Sequence, residues 1–490
     1  MVLFGSAIAL LHIAVNGQYG FHRDELLTYS NSRHLAWGYV VYPPLTPFLA
    51  RIELLVFGTS LRGFRFFVAV AQGLALLLTG LSARAMGAKR EGQLLAAAAI
   101  AVSGFSLFNG GFMSYSSFDY LWWVVAAWCA TCMLADDNPR WWLGVGGAIG
   151  LGLMTRYTIG VLILGILGGL LFTPTRRNFR SVWFWWGAAV GLFICVPNFL
   201  WQAQHHFIWL QWFHSIHARD VGNGSTDSFL LNQLWKSTNP VSAPLWVGGL
   251  WYLFRRPDGK RWRLLGWMYV VPAAVLLISR GRDYYLAPAY PILFAAGAVQ
   301  AEQWLGTLTP RTARVIRRVT WPSFAIGGIV IAAVALPVAP INSAWWRVSD
   351  AVVGSNFNSE VGWPDLVATV AHIRDAVPAE DQTHLVIATG DDGETGAVDL
   401  YGPAYHLPPA ISGMNSSWAR GYGVAAPQTI IVIDGDPDFL HRHFESCEVA
   451  GHVTNRWDIE SSSIGNPDIY VCRNLREPWP EFWAHFQYYG

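Results

Sequence analysis

Eleven apolar segments in residues 1–340 restrict the fold of this chain more than any other feature. A hydropathy window of roughly 19 residues locates them at about 2–16, 62–83, 92–108, 119–135, 141–154, 157–172, 182–201, 240–254, 264–279, 284–304 and 321–340. Mean hydropathy is +0.30 and only 13% of residues are charged, which excludes an ordinary soluble protein of this length. The sequence therefore predicts a polytopic α-helical membrane protein with about eleven transmembrane helices.

Charge divides the chain into two predicted domains. Residues 1–340 contain 26 Lys+Arg and 12 Asp+Glu, whereas residues 341–490 contain 7 and 20. In the second part, the apolar runs 384–389 and 429–434 are each followed by turn residues and a helical pattern, which predicts an α/β domain beginning near residue 356. The acidic stretch 390–396 lacks the spacing of a phosphate-binding loop. It is interpreted as a structural turn, with a ligand loop as the alternative.

Basic residues in the loops indicate the orientation. With the N-terminus in the cytoplasm, the inward loops carry 16 Lys and Arg, and the short outward loops carry 3. Because cytoplasmic loops are enriched in these residues, the C-terminal domain is expected to be extracytoplasmic. Five arginines would then face outward against this bias, namely Arg23, Arg33, Arg156, Arg280 and Arg282. A phosphate group at the outer interface would hold them there; neutralisation of neighbouring acids is the alternative.

Acidic residues on the predicted outer side mark a candidate site. Asp24 and Glu25 follow the first apolar segment, and Pro43 and Pro44 close the same loop. This pattern indicates a polar site at the membrane surface, although adjacent acids also favour the first turn of a solvated helix. Asp119 stands at the mouth of an aromatic-rich segment, where an acid is costly unless it is used; an interfacial cap is the alternative.

Five motifs resemble bacterial glycosyltransferase family 39, relatives of protein O-mannosyltransferases and of the lipid A aminoarabinose transferase. They are FHRDELLTYSNSRHLAWGYVVYPPL at 21–45, FMSYSSFD at 112–119, GLGLMTRYT at 150–158, PNFLWQAQHH at 197–206 and GRDYYLAPAYPILFAAGA at 281–298. The resemblance covers roughly residues 10–305 and implies the GT-C membrane fold. It also implies transfer of a hexose or pentose from a polyprenyl-phosphate-linked donor to a lipid, glycan or protein acceptor outside the membrane.

The resemblance implies roles for individual residues. Asp24 corresponds to the catalytic acid of the first outer loop, with Glu25 beside it and Asp119 as the second acid of the pocket. The expected substrate-binding residues are Arg23, Tyr42, Arg156, Tyr157, His205, Arg280 and Arg282. Tyr42 stands where many relatives have histidine, and Arg156 where they often have lysine, which adds a bidentate fork suited to phosphate. Asp24 is expected to act as a base in an inverting displacement, with Arg156 and Arg282 on the phosphate.

The outward loop near residue 205 contains candidates for metal binding and for stacking on substrate. His205, His206, His214 and His217 are interpreted as polar pocket residues, since adjacent histidines do not easily share one ion. No metal ligand is assigned, no cofactor is required, and use of a divalent cation stays open. Trp201, Trp209 and Trp212 are candidates for stacking on substrate.

A non-catalytic transporter of a lipid or glycan is the alternative function. It would more often show internal repeats and charges in the middle of its spans. Neither is visible, and nothing in the sequence indicates a nucleic-acid partner.

Two cysteines in the C-terminal part are expected to form a disulfide. Cys447 and Cys472 lie in the predicted strands FESCEVAGHV and DIYVCRN, and an oxidising exterior permits the bond. Neighbouring strands would bring the two sulfurs within reach. Two buried thiols are the alternative.

The orientation can be tested by labelling. A cysteine engineered at an exposed position near Gly435 should react with a membrane-impermeant reagent in intact cells, because the C-terminal domain is expected outside. Labelling after cell lysis serves as the control. Protection in intact cells together with labelling in lysate would place this domain in the cytoplasm.

Overall fold

Helices account for most of the first 352 residues. A computed structural model describes residues 1–423, 427–459 and 467–490. The helices of the membrane part are α1 Val2–Val15, α2 Arg23–Arg33, α3 Leu45–Phe57, α4 Leu61–Phe64, α5 Phe66–Ala85, α6 Arg90–Ala101, α7 Gly104–Asn109, α8 Tyr115–Asp136, α9 Trp142–Leu153, α10 Gly160–Phe172, α11 Val182–Gln204, α12 Ile208–Gly222, α13 Phe229–Asn232, α14 Ala243–Arg255, α15 Arg263–Ile278, α16 Tyr290–Thr307, α17 Pro310–Ala335 and α18 Ala344–Val352. Each of the eleven predicted apolar segments coincides with one or two of these helices.

Five helices of the described chain are long and apolar enough to cross a membrane. They are α5, α8, α11, α17 and the segment Lys260–Ile278, which includes α15. A sixth candidate combines Tyr157–Phe172 with the turn Pro174–Arg180, bent by 108°. The predicted number of eleven is not reached by this measure because several apolar helices are short; α1 and α9, for example, have 14 and 12 residues.

Apolar side chains cover the outside of the helical part. Phe193 on α11 and Ile329 on α17 are 80% and 69% exposed. Exposing apolar surface to water along whole helices is unfavourable, whereas the hydrocarbon of a bilayer solvates it. The chain is accordingly a multi-pass membrane protein whose α11 and α17 face lipid.

Small residues let neighbouring membrane helices touch through their backbones. A Cβ atom added to Gly146 of α9 would lie 1.9 Å from the carbonyl oxygen of Gly187 on α11. Only glycine permits this approach. Close contact of this type replaces the hydrophobic driving force that is missing between helices in lipid.

A mixed five-stranded sheet and short helices form the C-terminal part. The helices are α19 Trp363–Ala376, α20 Ala379–Gln382, α21 Asp392–Tyr401, α22 Asn415–Ala419, α23 Pro437–His443 and α24 Trp479–His485, and the strands are β1 Val386–Thr389, β2 Ala410–Ser412, β3 Thr429–Ile433, β4 Phe444–His452 and β5 Asp468–Leu475. The strand order is β2-β1-β3-β5-β4, with β2, β1 and β3 parallel and β5 and β4 antiparallel. The expected α/β architecture is confirmed, and β2 is the strand that the sequence did not reveal.

The disulfide expected from the sequence is present. Cys447 of β4 and Cys472 of β5 are directly opposite in the antiparallel register and are bonded to each other. The bond joins the edge strand β4 to β5, on the side of the sheet away from β1 and β2.

Helix α21 joins the C-terminal part to the membrane part by packing on α2. A Cβ atom added to Gly396 would lie 2.2 Å from the carbonyl oxygen of Leu26. Ser30 donates a hydrogen bond to Asp399 at 2.8 Å, and Arg420 donates one to Ser30 at 3.1 Å. The polar helix α2 is thus buried between the two parts of the chain.

Replacing Gly396 by alanine should loosen this contact. The new methyl group meets backbone atoms that cannot rotate away, so we expect a loss of about 1–3 kcal/mol in stability, typical of overpacking. Thermal unfolding in detergent would measure it. Gly147→Ala is the matched control, because no atom lies within 4 Å of its added Cβ. Equal unfolding temperatures for the two variants would contradict the close α21 contact.

Candidate functional site

A central cleft lies where the membrane part meets the C-terminal part. It contains about 750 Å³ of free space, some of it open to solvent. Its lining residues come from distant parts of the chain, namely Arg23, Asp24, Leu27, Thr28, Val41, Tyr42, Met113, Ser114, Tyr115, Trp212, Ile216, Arg219, Arg282, Tyr285, Asp391, Asp392, Met414, Asn415 and Gly490. Of the residues expected from the sequence, Arg23, Asp24, Tyr42, Trp212 and Arg282 are among them.

The first turn of α2 places Asp24 at the cleft. The ring nitrogen Nδ1 of His22 accepts a hydrogen bond from the backbone of Asp24 at 3.0 Å, and Glu25 accepts one from the backbone of His22 at 2.8 Å. This reciprocal capping fixes the start of the helix. Arg23 and Asp24 are therefore held in place by backbone geometry.

Asp24 is the half-buried carboxylate of the cleft. Its side chain is 41% exposed, and its Oδ1 atom lies 3.5 Å from Nε of Arg23. Burial raises the pKa of Asp24, but its interactions with His22, Arg23 and Arg282, which include a hydrogen bond from Arg23, outweigh it and bring the pKa below its ordinary value. Asp24 is therefore ionised at neutral pH and available to accept a proton.

Glu25 points away from the cleft into a buried ion cluster. Arg65 donates to both oxygens of Glu25, at 2.8 and 2.6 Å, and the backbone of Met113 donates at 2.6 Å. Neither Arg65 nor Glu25 is exposed at all. Every strong acceptor position on Glu25 is thus occupied, and the carboxylate is absent from the cleft lining.

Arg156 lies among three tyrosine rings just behind the cleft wall. Its guanidinium carbon is 4.3 Å from the ring of Tyr285, 4.8 Å from Tyr115 and 5.3 Å from Tyr284. Its guanidinium donates a hydrogen bond to Ser116 at 3.1 Å, and none of the ion pairs found among the described residues includes Arg156. The surroundings are accordingly electropositive.

Two other arginines that the sequence analysis expects to face outward are paired with acids. Arg282 binds Asp220 through two contacts, at 2.5 and 2.8 Å, and leaves one nitrogen directed to Tyr284 at 3.3 Å. Arg280 lies 3.7 Å from Asp227 and is absent from the cleft lining. Arg282, which the sequence analysis expects on the phosphate, thus already holds a carboxylate 62 residues away, as the alternative of neutralisation by acids would have it.

Asp119 is buried near Arg156 and does not line the cleft. Thr158 donates a hydrogen bond to its Oδ2 atom at 3.4 Å. One turn earlier on the same helix, Ser116 accepts the hydrogen bond of Arg156. Asp119 is thus placed to influence Arg156 through charge, whereas Tyr42 does line the cleft and accepts a hydrogen bond from Asn31 at 2.8 Å.

Tyr157 and His205 belong to a neighbouring cluster outside the cleft. The hydroxyl of Tyr157 donates to Asn198 at 2.6 Å, and its ring packs on Trp209 at 4.3 Å. His205 is exposed and stacks on Trp201 at 3.8 Å. Of the three tryptophans considered for stacking, Trp212 is the one that reaches the cleft.

The sequence missed the wall contributed by the C-terminal part. Asp391 lies 3.5 Å from Arg23, and Asp392 accepts hydrogen bonds from Asn415 at 2.7 Å and from Ser417 at 3.2 Å. Burial raises the pKa of Asp392 to about 7 despite the hydrogen bond from Asn415. The stretch 390–396 is therefore part of the site and not only a turn. The glycines of this stretch are the sequence feature that could have indicated the contact, because they permit the close approach of α21 to α2.

Comparison with known proteins identifies the fold. The family model of dolichyl-phosphate-mannose-protein mannosyltransferases matches residues 41–201. The apo structure of ArnT from Cupriavidus metallidurans aligns with a TM-score of 0.61 and 15% identity, covering 96% of this chain and 97% of that protein. The structure of the same protein bound to undecaprenyl phosphate gives 0.58 and 16%, with the same coverage. None of the curated proteins matches the sequence.

The resemblance seen in the sequence is confirmed for the fold. The alignment with ArnT spans almost the whole of both chains, so it includes the C-terminal part as well as the membrane helices. The chain therefore has the GT-C membrane fold.

Asp24 and Glu25 should respond differently to loss of charge. Glu25→Gln leaves Arg65 without its main partner, and breaking a buried pair in this way costs about 3–5 kcal/mol; the contact of Arg65 with Glu360 should keep the loss near the lower value. Asp24→Asn, at a half-exposed position, should change stability little. Thermal unfolding of both variants in detergent measures the difference. A larger loss of stability in Asp24→Asn than in Glu25→Gln would show that Asp24, and not Glu25, has the structural role.

Proposed function

We propose that this protein is a glycosyltransferase that uses a polyprenyl-phosphate-linked sugar as its donor. The observation that carries the proposal is the ionised carboxylate of Asp24 in a cleft beside electropositive groups, within a fold shared with ArnT. The ArnT structure with undecaprenyl phosphate supports the class of donor. The match to the mannosyltransferase family supports transfer of a sugar.

The tyrosine-lined arginine is the proposed phosphate site. Arg156 carries a buried positive charge that no acid within ion-pair distance neutralises in the described chain. A phosphate in the cleft beside Tyr115 and Tyr285 would be attracted by the charge of Arg156 across these rings. It would contact Arg156 directly if one of the rings moved aside. Arg282 adds positive potential at the same end, although Asp220 holds most of its hydrogen-bonding capacity.

Asp24 is the proposed general base. An acceptor hydroxyl or amine attacks the anomeric carbon while its proton passes to Asp24. The bond from this carbon to the phosphate oxygen breaks, and the electron pair leaves with the polyprenyl phosphate. A single displacement inverts the anomeric configuration, and arginines near the leaving oxygen stabilise its charge as the bond breaks.

The C-terminal wall is the proposed binding surface for the acceptor. Asp391, Asp392 and Asn415 present oxygen acceptors, which suit the hydroxyl or amino groups of an acceptor better than an anion. Arg23 contacts both Asp24 and Asp391, so it connects the base to this wall. Donor phosphate and acceptor would then approach the sugar from opposite ends of the cleft, as a single displacement requires.

The reaction is proposed for the outer side of the membrane. The loops assigned to the inner side carry 16 Lys and Arg, against 3 in the short loops assigned to the outer side. This excess supports a cytoplasmic N-terminus and an extracytoplasmic C-terminal part. A transporter is the rival function. It gives no reason for an ionised carboxylate held by helix capping beside arginines, and this arrangement favours the enzyme.

Replacing Asp24 tests the function directly. Asp24→Asn keeps the shape of the side chain and removes the base, so turnover should fall by about two to four orders of magnitude. Because the pKa of Asp24 lies below its ordinary value, the wild-type rate should not lose this base until the pH falls below about 4. The measurement is sugar transfer by purified protein supplied with polyprenyl-phosphate-linked sugars.

Two further variants separate the proposed roles. Arg156→Lys keeps a charge but loses the fork, so donor binding should weaken while some turnover survives at saturation. Asp119→Asn should act in the same direction through Arg156. If Asp24→Asn transferred sugar at the wild-type rate, the base would lie elsewhere; if the wild type transferred none of the sugars, the function itself would be wrong.

A further inference from the structure

Three potential metal ligands converge in the C-terminal part from separate segments. His443 ends α23, Glu477 follows β5 and His485 ends α24. Nδ1 of His443 contacts one oxygen of Glu477, and Nδ1 of His485 lies 3.5 Å from the other oxygen. The three ligand atoms all lie within 4.8 Å of one another. None of these residues lines the central cleft.

The spacing and the donor set agree with a transition metal. Tetrahedral bonds of about 2.0–2.1 Å to zinc place ligand atoms about 3.4 Å apart, close to the separation of His485 and Glu477. Two imidazoles and one carboxylate form a ligand set that zinc uses and that calcium and magnesium do not favour. Two of the side chains are already held in place, since His443 and Glu477 are only 16% and 19% exposed.

The aromatic surroundings limit the movement of these ligands. The ring of His443 packs against Phe439 at 4.3 Å and Phe482 at 5.7 Å. Helix α24 is fixed in turn by Trp483, whose carbonyl oxygen accepts a hydrogen bond from Trp418 at 2.8 Å. The two histidine rings lie 5.7 Å apart between centroids. A metal ion would need the direct contact between His443 and Glu477 to open by a small shift, together with a rotation of His485, the most exposed of the three ligands.

The position of His485 connects this cluster to the cleft. The segment that follows α24 returns to the cleft wall, where Tyr488 donates a backbone hydrogen bond to Gly413 at 3.0 Å and accepts one from Asn415 at 3.2 Å. Tyr489 donates a hydrogen bond to Gln211 of the membrane part at 3.0 Å. Whatever fixes His485 also fixes the start of this returning segment.

We propose that His443, Glu477 and His485 bind one zinc-like divalent transition-metal ion that fastens α24 and the returning segment to the sheet. The ion has a structural role. It joins the end of α23, the loop after β5 and the end of α24, and it lies apart from the reacting groups. This inference does not depend on the proposed function.

Metal titration of the full-length protein tests the site. The protein is purified in detergent, stripped with a chelator and titrated with Zn²⁺ alone, with Ca²⁺ and with Mg²⁺ in separate experiments. We expect one Zn²⁺ per chain, no binding of Ca²⁺ or Mg²⁺ at the same concentrations, and a higher unfolding temperature with Zn²⁺. Glu477→Gln and His485→Gln should weaken Zn²⁺ binding by more than the roughly 10- to 100-fold that loss of an outer partner costs.

A matched control and a second measurement locate the ion. His452 contacts Asp468 in the same sheet, and the described residues add no third ligand there, so His452→Gln should bind Zn²⁺ as the wild type does. With Co²⁺ as the probe, the absorption spectrum should lack the thiolate band that ligation by Cys129, Cys132 or Cys195 would produce. No saturable Zn²⁺ binding, unchanged affinity in folded Glu477→Gln, or a thiolate band would each overturn the proposal.

Discussion

The buried guanidinium of Arg65 determines how the rest of the site is assembled. It donates to Glu25 and Glu360 and to the backbone carbonyls of Asn16 and Gly20, with no exposure to solvent. Removing such a charge from water costs several kcal/mol unless all its partners are in place. The contacts therefore lock the end of α1, the start of α2 and the segment before α19 in one arrangement. Burial raises the pKa of Glu360 to about 8 although Arg65 lowers it, which reduces the surplus of negative charge around one cation at neutral pH.

Charge is distributed unequally along the central cleft. Arg282 of the membrane part and Asp391 and Asp392 of the C-terminal part line the cleft together with Asp24 and Arg23, and Arg156 lies behind its wall. Under the proposed function, the arginines would stabilise a negatively charged leaving group and the acids would suit a hydroxylated acceptor. The polar helix α2 supplies the middle of this arrangement because it is covered on both sides.

Local pattern predicted much of the fold, and long-range contacts determined the rest. The strands near residues 386 and 430 and the disulfide partner of Cys472 could be read from short runs of residues. The same held for the capped carboxylate of Asp24, because helix capping and strand pairing leave local signals. The pairing of Arg282 with Asp220 and of Glu25 with Arg65 could not be inferred, since each joins residues at least 40 positions apart. The lengths of the membrane helices could not be inferred either, because hydropathy does not show where a helix bends or stops.

The shared construction of the cleft has a consequence for the order of events during synthesis. The wall near Asp24 is made early, whereas the wall around Asp391 and Asn415 emerges only after the last membrane helix, α17, has been completed. A nascent chain with every helix inserted still has an open half-site that lacks the partner of α2. The polar face of α2 would stay exposed to water until α21 packs against it. Under the proposed function, the binding surface for the acceptor would therefore form only when the final third of the chain has folded.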